Sequence, residues 1–269
     1  MERCGARISG RCRQNEQYLR ITGRAWQMGH IEFQHVTRRF ENGHEALSDV
    51  SVAFEDGSMT FLTGHSGAGK STFLKLLLAA DVPTRGRVLV NGVNISAMAP
   101  SRLPRYRQHL GVVFQDHHLL AQRTVFDNVA MPLRVAGMRE REVARRVRAS
   151  LTQVELLDKE SLFPGHLSTG EQQRVGIARA VVTRPRILLA DEPTGNLDPD
   201  LSINIMDLFT RFNQVGTTVI IASHEVHLIE SMGLRILHLE QGRVVEDVPA
   251  TVTPQPAPVP DDQLAGASP

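Results

Sequence analysis

The sequence predicts an α/β fold built on a parallel sheet, and three observations carry that prediction. A short apolar run, Met59–Thr63, passes through a glycine-rich loop into a helix-forming segment from Ser71 to Leu78. Four short apolar runs each end on a residue able to do chemistry. The stretch between residues 115 and 167 carries helical rather than strand periodicity, so strands and helices alternate along the chain.

Residues 1–27 stand apart in composition. They hold six arginines against two acids, both cysteines (Cys4 and Cys12) and the one tryptophan, Trp26. The chain's formal charge is +1, and it falls to −3 without this arm, so the remainder offers no charge argument for nucleic acid. Two cysteines with no second pair of ligands do not make a zinc site. Strand-like alternation begins at Ile31-Glu32-Phe33, just after Met28, so the fold is expected to start near residue 28. The arm reads either as an over-long start or disordered extension, or as a basic arm that touches anionic lipid. No apolar run approaches the ~18 residues that span a bilayer, and no secretory apolar region opens the chain. A cytosolic chain is expected, with any membrane role supplied by a partner.

The loop after Met59–Thr63 reads Gly64, His65, Ser66, Gly67, Ala68, Gly69, Lys70, Ser71, followed by Thr72. It fits the phosphate-loop pattern G-x-x-x-x-G-K-[ST]. Its glycines let backbone N–H groups curl around phosphates, Lys70 can reach the terminal oxygens, and the Ser71 hydroxyl can ligate Mg²⁺. The strand before it and the helix after it place a phosphate on a helix N-terminus, where free N–H groups and the dipole favour negative charge. His65 sits at a variable position of this loop and receives no role of its own. The expected ligands are a nucleoside triphosphate and Mg²⁺.

Three further apolar runs repeat the pattern. Residues 110–114 lead into Gln115, residues 187–190 into Asp191 and Glu192, and Thr218–Ala222 into Ser223 and His224. Ligands of an open parallel sheet bind outside the carboxyl ends of its strands, so neighbouring strands would aim all of these residues at one crevice. Phosphoryl-transfer chemistry then suggests the roles. Asp191 holds Mg²⁺, together with Ser71 and Gln115; Glu192 is the general base for the attacking water; Gln115 senses the metal or that water; His224 bridges to the γ-phosphate. For each residue alone, a strand-end cap or a solvated side chain is the plainer reading. Four such ends in order favour the site.

Ser168-Thr169-Gly170-Glu171 has capping-box spacing and opens an apolar-periodic helix through Val175, Ile177, Ala178 and Val181. It is a well-capped helix that can also receive an anion at its N-terminus. Upstream, Val143, Val147, Leu151 and Val154 lie about one turn apart, on one helical face. Arg139, Arg141, Arg145, Arg146 and Arg148 crowd the other faces. That basic face is either simply solvated or a contact for anionic inner-leaflet lipid. Residues 248–269 are proline-rich and are expected to form a disordered tail.

Taken together, residues 64–71, 167–172, Arg174 to Ala180, Asp191 to Thr194 and Gly195 to Asp198 resemble the ATP-binding cassette (ABC) ATPases over residues 31–245. The resemblance implies a P-loop NTPase of ABC type. Such a domain has a RecA-like core sheet, an antiparallel β subdomain and an inserted α-helical subdomain, here about 115–180 within a domain of residues 28–247. It implies a homodimer in which each ATP lies between one phosphate loop and the partner's signature helix, here Ser168, Thr169, Gly170 and Glu171. It assigns Asp198 to the loop crossing that interface and Phe40, in place of the usual Tyr, to the ring under the adenine. Two positions depart from the usual signature: Thr169 replaces a glycine and Glu171 a glutamine.

The run Asp191 to Asp198 is similar to cassettes that work with mechanotransmitting membrane partners. The stretches 114–120 and 123–130 look closest to the cell-division members of that branch. This implies a membrane partner, FtsX, further divisome components such as FtsZ, and a place on the cytoplasmic face of the inner membrane at the septum. ATP turnover would drive activation of cell-wall hydrolases there. Lipoprotein-release or efflux ATPases are the alternative of the same class, and an ATP-gated scaffold is the alternative of another. Residues 117–123, next to Gln115, are the expected seat of the partner's coupling helix. A DNA-repair cassette is disfavoured by the missing long coiled coil, zinc hook and basic body.

Overall fold

The computed structural model describes residues 30–251 except residue 196. The basic arm 1–27 and residues 252–269 of the tail lie outside the described residues. In chain order the elements are β1 (Ile31–Arg39), β2 (Glu45–Phe54), β3 (Met59–Thr63), α1 (Lys70–Leu77), β4 (Arg85–Val90), β5 (Val93–Asn94), α2 (Leu103–Arg107), β6 (Leu110–Val113), α3 (Val125–Val135), α4 (Glu140–Gln153), α5 (Thr169–Val181), β7 (Ile187–Asp191), α6 (Pro199–Gln214), β8 (Thr218–Ala222), α7 (Val226–Ser231), β9 (Arg235–Glu240) and β10 (Arg243–Val248). Strand β10 takes in Val248, and Thr251 N–H donates to the Gly233 carbonyl (2.9 Å), so the fold runs past the boundary expected at residue 247.

The apolar runs are strands because they are buried on both faces. Every residue of β3 and β8 is buried, as are the first four of β7, the pattern of a covered parallel sheet. The sheet order is β10-β9-β3-β8-β7-β6. Pairings β9–β3, β3–β8, β8–β7 and β7–β6 are all parallel, and only β10 runs antiparallel.

Alternation along these strands divides the core in two. Phe61, Leu188, Ala190, Val219 and Ile221 face a helical layer, where Val129, Leu133, Val143, Val147, Leu151, Val154, Val175 and Ile177 pack. The four residues expected on one face of α4 are all fully buried there. On the other face, Leu62, Ile187, Leu189, Ile220 and Ala222 meet α1 and a second, antiparallel sheet of order β2-β1-β4-β5. Phe73 of α1 fastens the two sheets. Its ring stacks on Phe33 of β1 (centroids 4.0 Å apart) and meets Phe54 of β2 edge-on (5.9 Å). A RecA-like core sheet, an antiparallel β layer and helices α3 to α5 between β6 and β7 make up the expected ABC architecture.

The basic face of α4 is partly paired. Glu142 binds Arg145 (2.6 Å) and Arg146 (2.7 Å), and Glu160 binds Arg148 (3.0 Å). These surface pairs hold three of the five arginines, and the face stays net basic.

One close approach tests the layer packing. A Cβ at Gly111 of β6 would lie 2.6 Å from the Ala180 carbonyl oxygen, 2.8 Å from Pro185 and 2.9 Å from Leu188. The carbonyl belongs to α5 and cannot rotate away. Gly111→Ala is expected to destabilise the fold by about 1–3 kcal/mol, read as a lower urea midpoint with an unchanged slope.

Candidate nucleotide site

The carboxyl ends of β3, β8, β7 and β6 open on one cleft of about 680 Å³, within the usual range for a small-ligand site. Its walls include Gly64, His65, Ser66, Gly67, Gly69, Lys70, Ser71, Thr72, Gln115, Glu192, His224 and Phe40.

The loop after β3 is possible only with glycine at two points. Gly64 (φ 140°) and Gly69 (φ 110°) occupy backbone space closed to other residues, and a Cβ on either would lie 2.2 Å from the Leu239 carbonyl oxygen or 2.4 Å from that of Ala46. Ala68 contributes backbone only, since its methyl is buried in the core. The first turn of α1 has no side-chain cap, which leaves its N–H groups directed at the cleft. Lys70 is 7% exposed. Its ammonium donates to the carbonyls of Gly64 (2.7 Å) and His65 (3.3 Å) and lies 3.5 Å from the Glu192 carboxylate.

Glu192 follows β7 in a left-handed conformation (φ 50°), a costly state for a side-chain-bearing residue. Its N–H donates to the Ala222 carbonyl of β8 (2.8 Å), which fixes the turn. The carboxylate is thereby aimed into the cleft, where His224 Nδ1 bonds Oε2. Asp191 lies just behind. Burial pushes its carboxyl above the ordinary range, and a Ser71 hydroxyl bond partly offsets this. Its Oδ1 is buried with no hydrogen-bond partner among the described residues.

That orphaned oxygen beside a serine hydroxyl fits a hard cation that keeps most of its ligands from elsewhere. Among the described residues no cluster of three or more His, Cys, Asp or Glu could hold a metal by itself. Mg²⁺ is typically held by one or two carboxylates plus substrate phosphates, and Asp191, Ser71 and Gln115 match that economy.

The signature helix is built as its spacing predicts. The Ser168 side chain accepts from Glu171 N–H (3.3 Å) and the Glu171 carboxylate accepts from Ser168 N–H (3.0 Å). Lys159 pairs with the same carboxylate and, with the Ser168 N–H, holds its pKa below the ordinary value. Ser168 and Thr169 are exposed, while Gly170 is buried where a Cβ would lie 3.0 Å from Leu201. Asp198 caps α6 by accepting from Leu201 N–H (3.0 Å). None of Ser168, Thr169, Gly170, Glu171 or Asp198 lines the cleft of its own chain.

The cleft also holds residues that sequence reasoning missed: His44, Ala46, Thr63 and His238. Parallel pairing of β9 with β3 sets His238 opposite Thr63, and Thr63 Oγ1 bonds His238 Nδ1 (2.9 Å). The only local signal for His238 is the strand alternation of Leu237 and Leu239, which marks a strand and not a site. Beside Gln115, His117 and His118 are left-handed (φ 56° and 47°), and Arg179 of α5 donates to both carbonyls. Phe114 and Leu120 remain exposed there.

The chain resembles known proteins in both sequence and fold. The ABC transporter family profile matches residues 47–195. The chain is 50% identical over 214 residues to the cell division ATP-binding protein FtsE of Escherichia coli K12, covering 80% of this chain and 96% of that protein. FtsE of Mycobacterium tuberculosis H37Rv is 49% identical over 218 residues, 81% of this chain and 95% of that protein. Among solved structures, the dimeric bacterial ABC transporter cassette MJ0796 gives a TM-score of 0.76 at 32% identity, covering 83% of this chain and 100% of its own. Half-identity along nearly the full length of cell-division proteins, on a shared cassette fold, makes the chain a member of the ABC transporter family, an ABC-type ATPase of the FtsE cell-division branch.

Proposed function

We propose that two copies of this chain close head to tail around ATP and pass that closure to the membrane protein FtsX at the division septum, activating cell-wall hydrolases outside. The observation that carries the reading is the separation of two half-sites. Lys70, Gln115, Glu192 and His224 share one cleft, while the capped N-terminus of α5 sits on the same chain but outside it. A second copy supplies what the first cannot. The MJ0796 cassette is described as dimeric, in one structure in a post-hydrolysis state with ADP and Pi.

In this reading the loop N–H groups and Lys70 bind the triphosphate, and Phe40 supports the base. Mg²⁺, held by Ser71, Asp191 and Gln115, would neutralise phosphate charge. Water attacks the γ-phosphorus, a new P–O bond forms as the bond to the β–γ bridging oxygen breaks, and Glu192 accepts the water proton. His224 keeps the Glu192 carboxylate aimed at that water. Ser168 and the first N–H groups of α5 receive the γ-phosphate from the other copy. No helix among the described residues is long and apolar enough to cross a membrane. The exposed Phe114 and Leu120, beside the Arg179-braced turn, offer the docking surface for the membrane partner's helix.

Three outcomes are expected. Lys70→Ala should weaken ATP binding at least tenfold, because charge-assisted contacts to phosphate are lost, as measured by equilibrium titration. Glu192→Gln should bind ATP and dimerise on gel filtration while turnover falls roughly 10²–10⁴-fold; cells dividing normally on that variant would favour a scaffold over an enzyme. Leu120→Asp should keep basal ATPase activity but lose co-purification with FtsX. Retained association would remove the docking surface, and recovery with a different permease would point to lipoprotein release or efflux.

A further inference from the structure

We propose that His44 forms the second wall of a base slot whose first wall is Phe40, so that the base of the nucleotide is held between two rings. The inference rests on the ATP-binding reading above and adds a residue to it. Both side chains line the cleft. Their rings lie within 7° of parallel with centroids 6.4 Å apart. A flat base between two rings needs two carbon contacts of ~3.5 Å, about 7 Å in all. The ring planes therefore stand at most 6.4 Å apart, and a purine enters as the two exposed rings turn outward by at least about 0.6 Å.

Backbone bonds place the two residues opposite each other. Phe40 N–H donates to the His44 carbonyl (2.8 Å), and Gly43 N–H donates to the Phe40 carbonyl (3.0 Å). Asn42 Oδ1 accepts from His44 N–H (3.0 Å), and Gly43 turns the chain at φ 83°. The two rings thus rise from facing positions of one braced turn. Phe40 is further braced by the Arg38 guanidinium, 4.8 Å from its centroid, which Asp81 holds at 2.8 Å.

Two other histidines of the cleft are already engaged. His224 bonds Glu192 and His238 bonds Thr63. The His44 ring makes no hydrogen bond among the described residues, and its side chain is exposed to the cleft. A slot of two ring faces reads flatness more than hydrogen-bond pattern, because every base has a π-face. It holds the base of any purine nucleoside triphosphate and ignores a bare polyphosphate.

The test compares three ligands on the full chain: ATP, GTP and inorganic tripolyphosphate. His44→Ala should weaken ATP and GTP binding roughly tenfold, leave tripolyphosphate unchanged, and keep the melting temperature. His44→Phe should restore nucleotide binding. Unchanged ATP affinity in His44→Ala overturns the slot. So does an equal loss for tripolyphosphate, which would mean that the turn and not the base contact was damaged. A wild-type chain that binds no ATP overturns the underlying reading instead.

Discussion

Parallel pairing is the constraint on which the site depends. Strands β3, β8, β7 and β6 lie side by side in one direction, so four chain segments finish at one edge. Each leaves its next residue above that edge, which is how residues as far apart in the chain as Lys70 and His224 come to line one cleft. The price is local strain and close packing. Glu192 takes a left-handed backbone, and Gly64 and Gly69 tolerate contacts that no side chain would. Those costs are offset by the doubly buried strands beneath, where nearly every side chain is apolar.

Helix α5 links that edge to the rest of the molecule. Ser168 caps its beginning, and Gln173 donates to the Pro193 carbonyl (2.7 Å), just past Glu192. Near its other end Arg179 grips the carbonyls of His117 and His118. A helix of this length is a stiff rod of roughly 20 Å. The helix thus joins the exposed turn beside Gln115 to the capped terminus through direct contacts at both ends.

Local chemistry made part of this legible in the sequence. Apolar runs ending on Gln115, Asp191-Glu192 and Ser223-His224 could be read because a doubly buried strand needs no partner to look apolar. Glycines marked the phosphate loop, and S-x-x-E spacing marked the cap that forms. What depends on distant pairing was not legible. His238 reaches the cleft through β9, and His44 becomes interesting only when its ring is seen parallel to Phe40. The arginines of α4 read as a bare basic face, although Glu142 stands three and four residues before Arg145 and Arg146 and pairs with both. The Arg148–Glu160 pair spans a turn between elements and leaves no such trace.

The Glu171–Lys159 pair explains how a departure from the usual signature is tolerated. A carboxylate at the mouth of α5 would repel an incoming triphosphate, which a neutral glutamine would not. Here one oxygen is engaged by the Ser168 N–H and the other by the Lys159 ammonium. The added negative charge is offset by the ammonium beside it, so the Glu171–Lys159 pair is neutral as a unit. Loss of Lys159 alone would leave the Glu171 charge facing the helix mouth with one partner fewer.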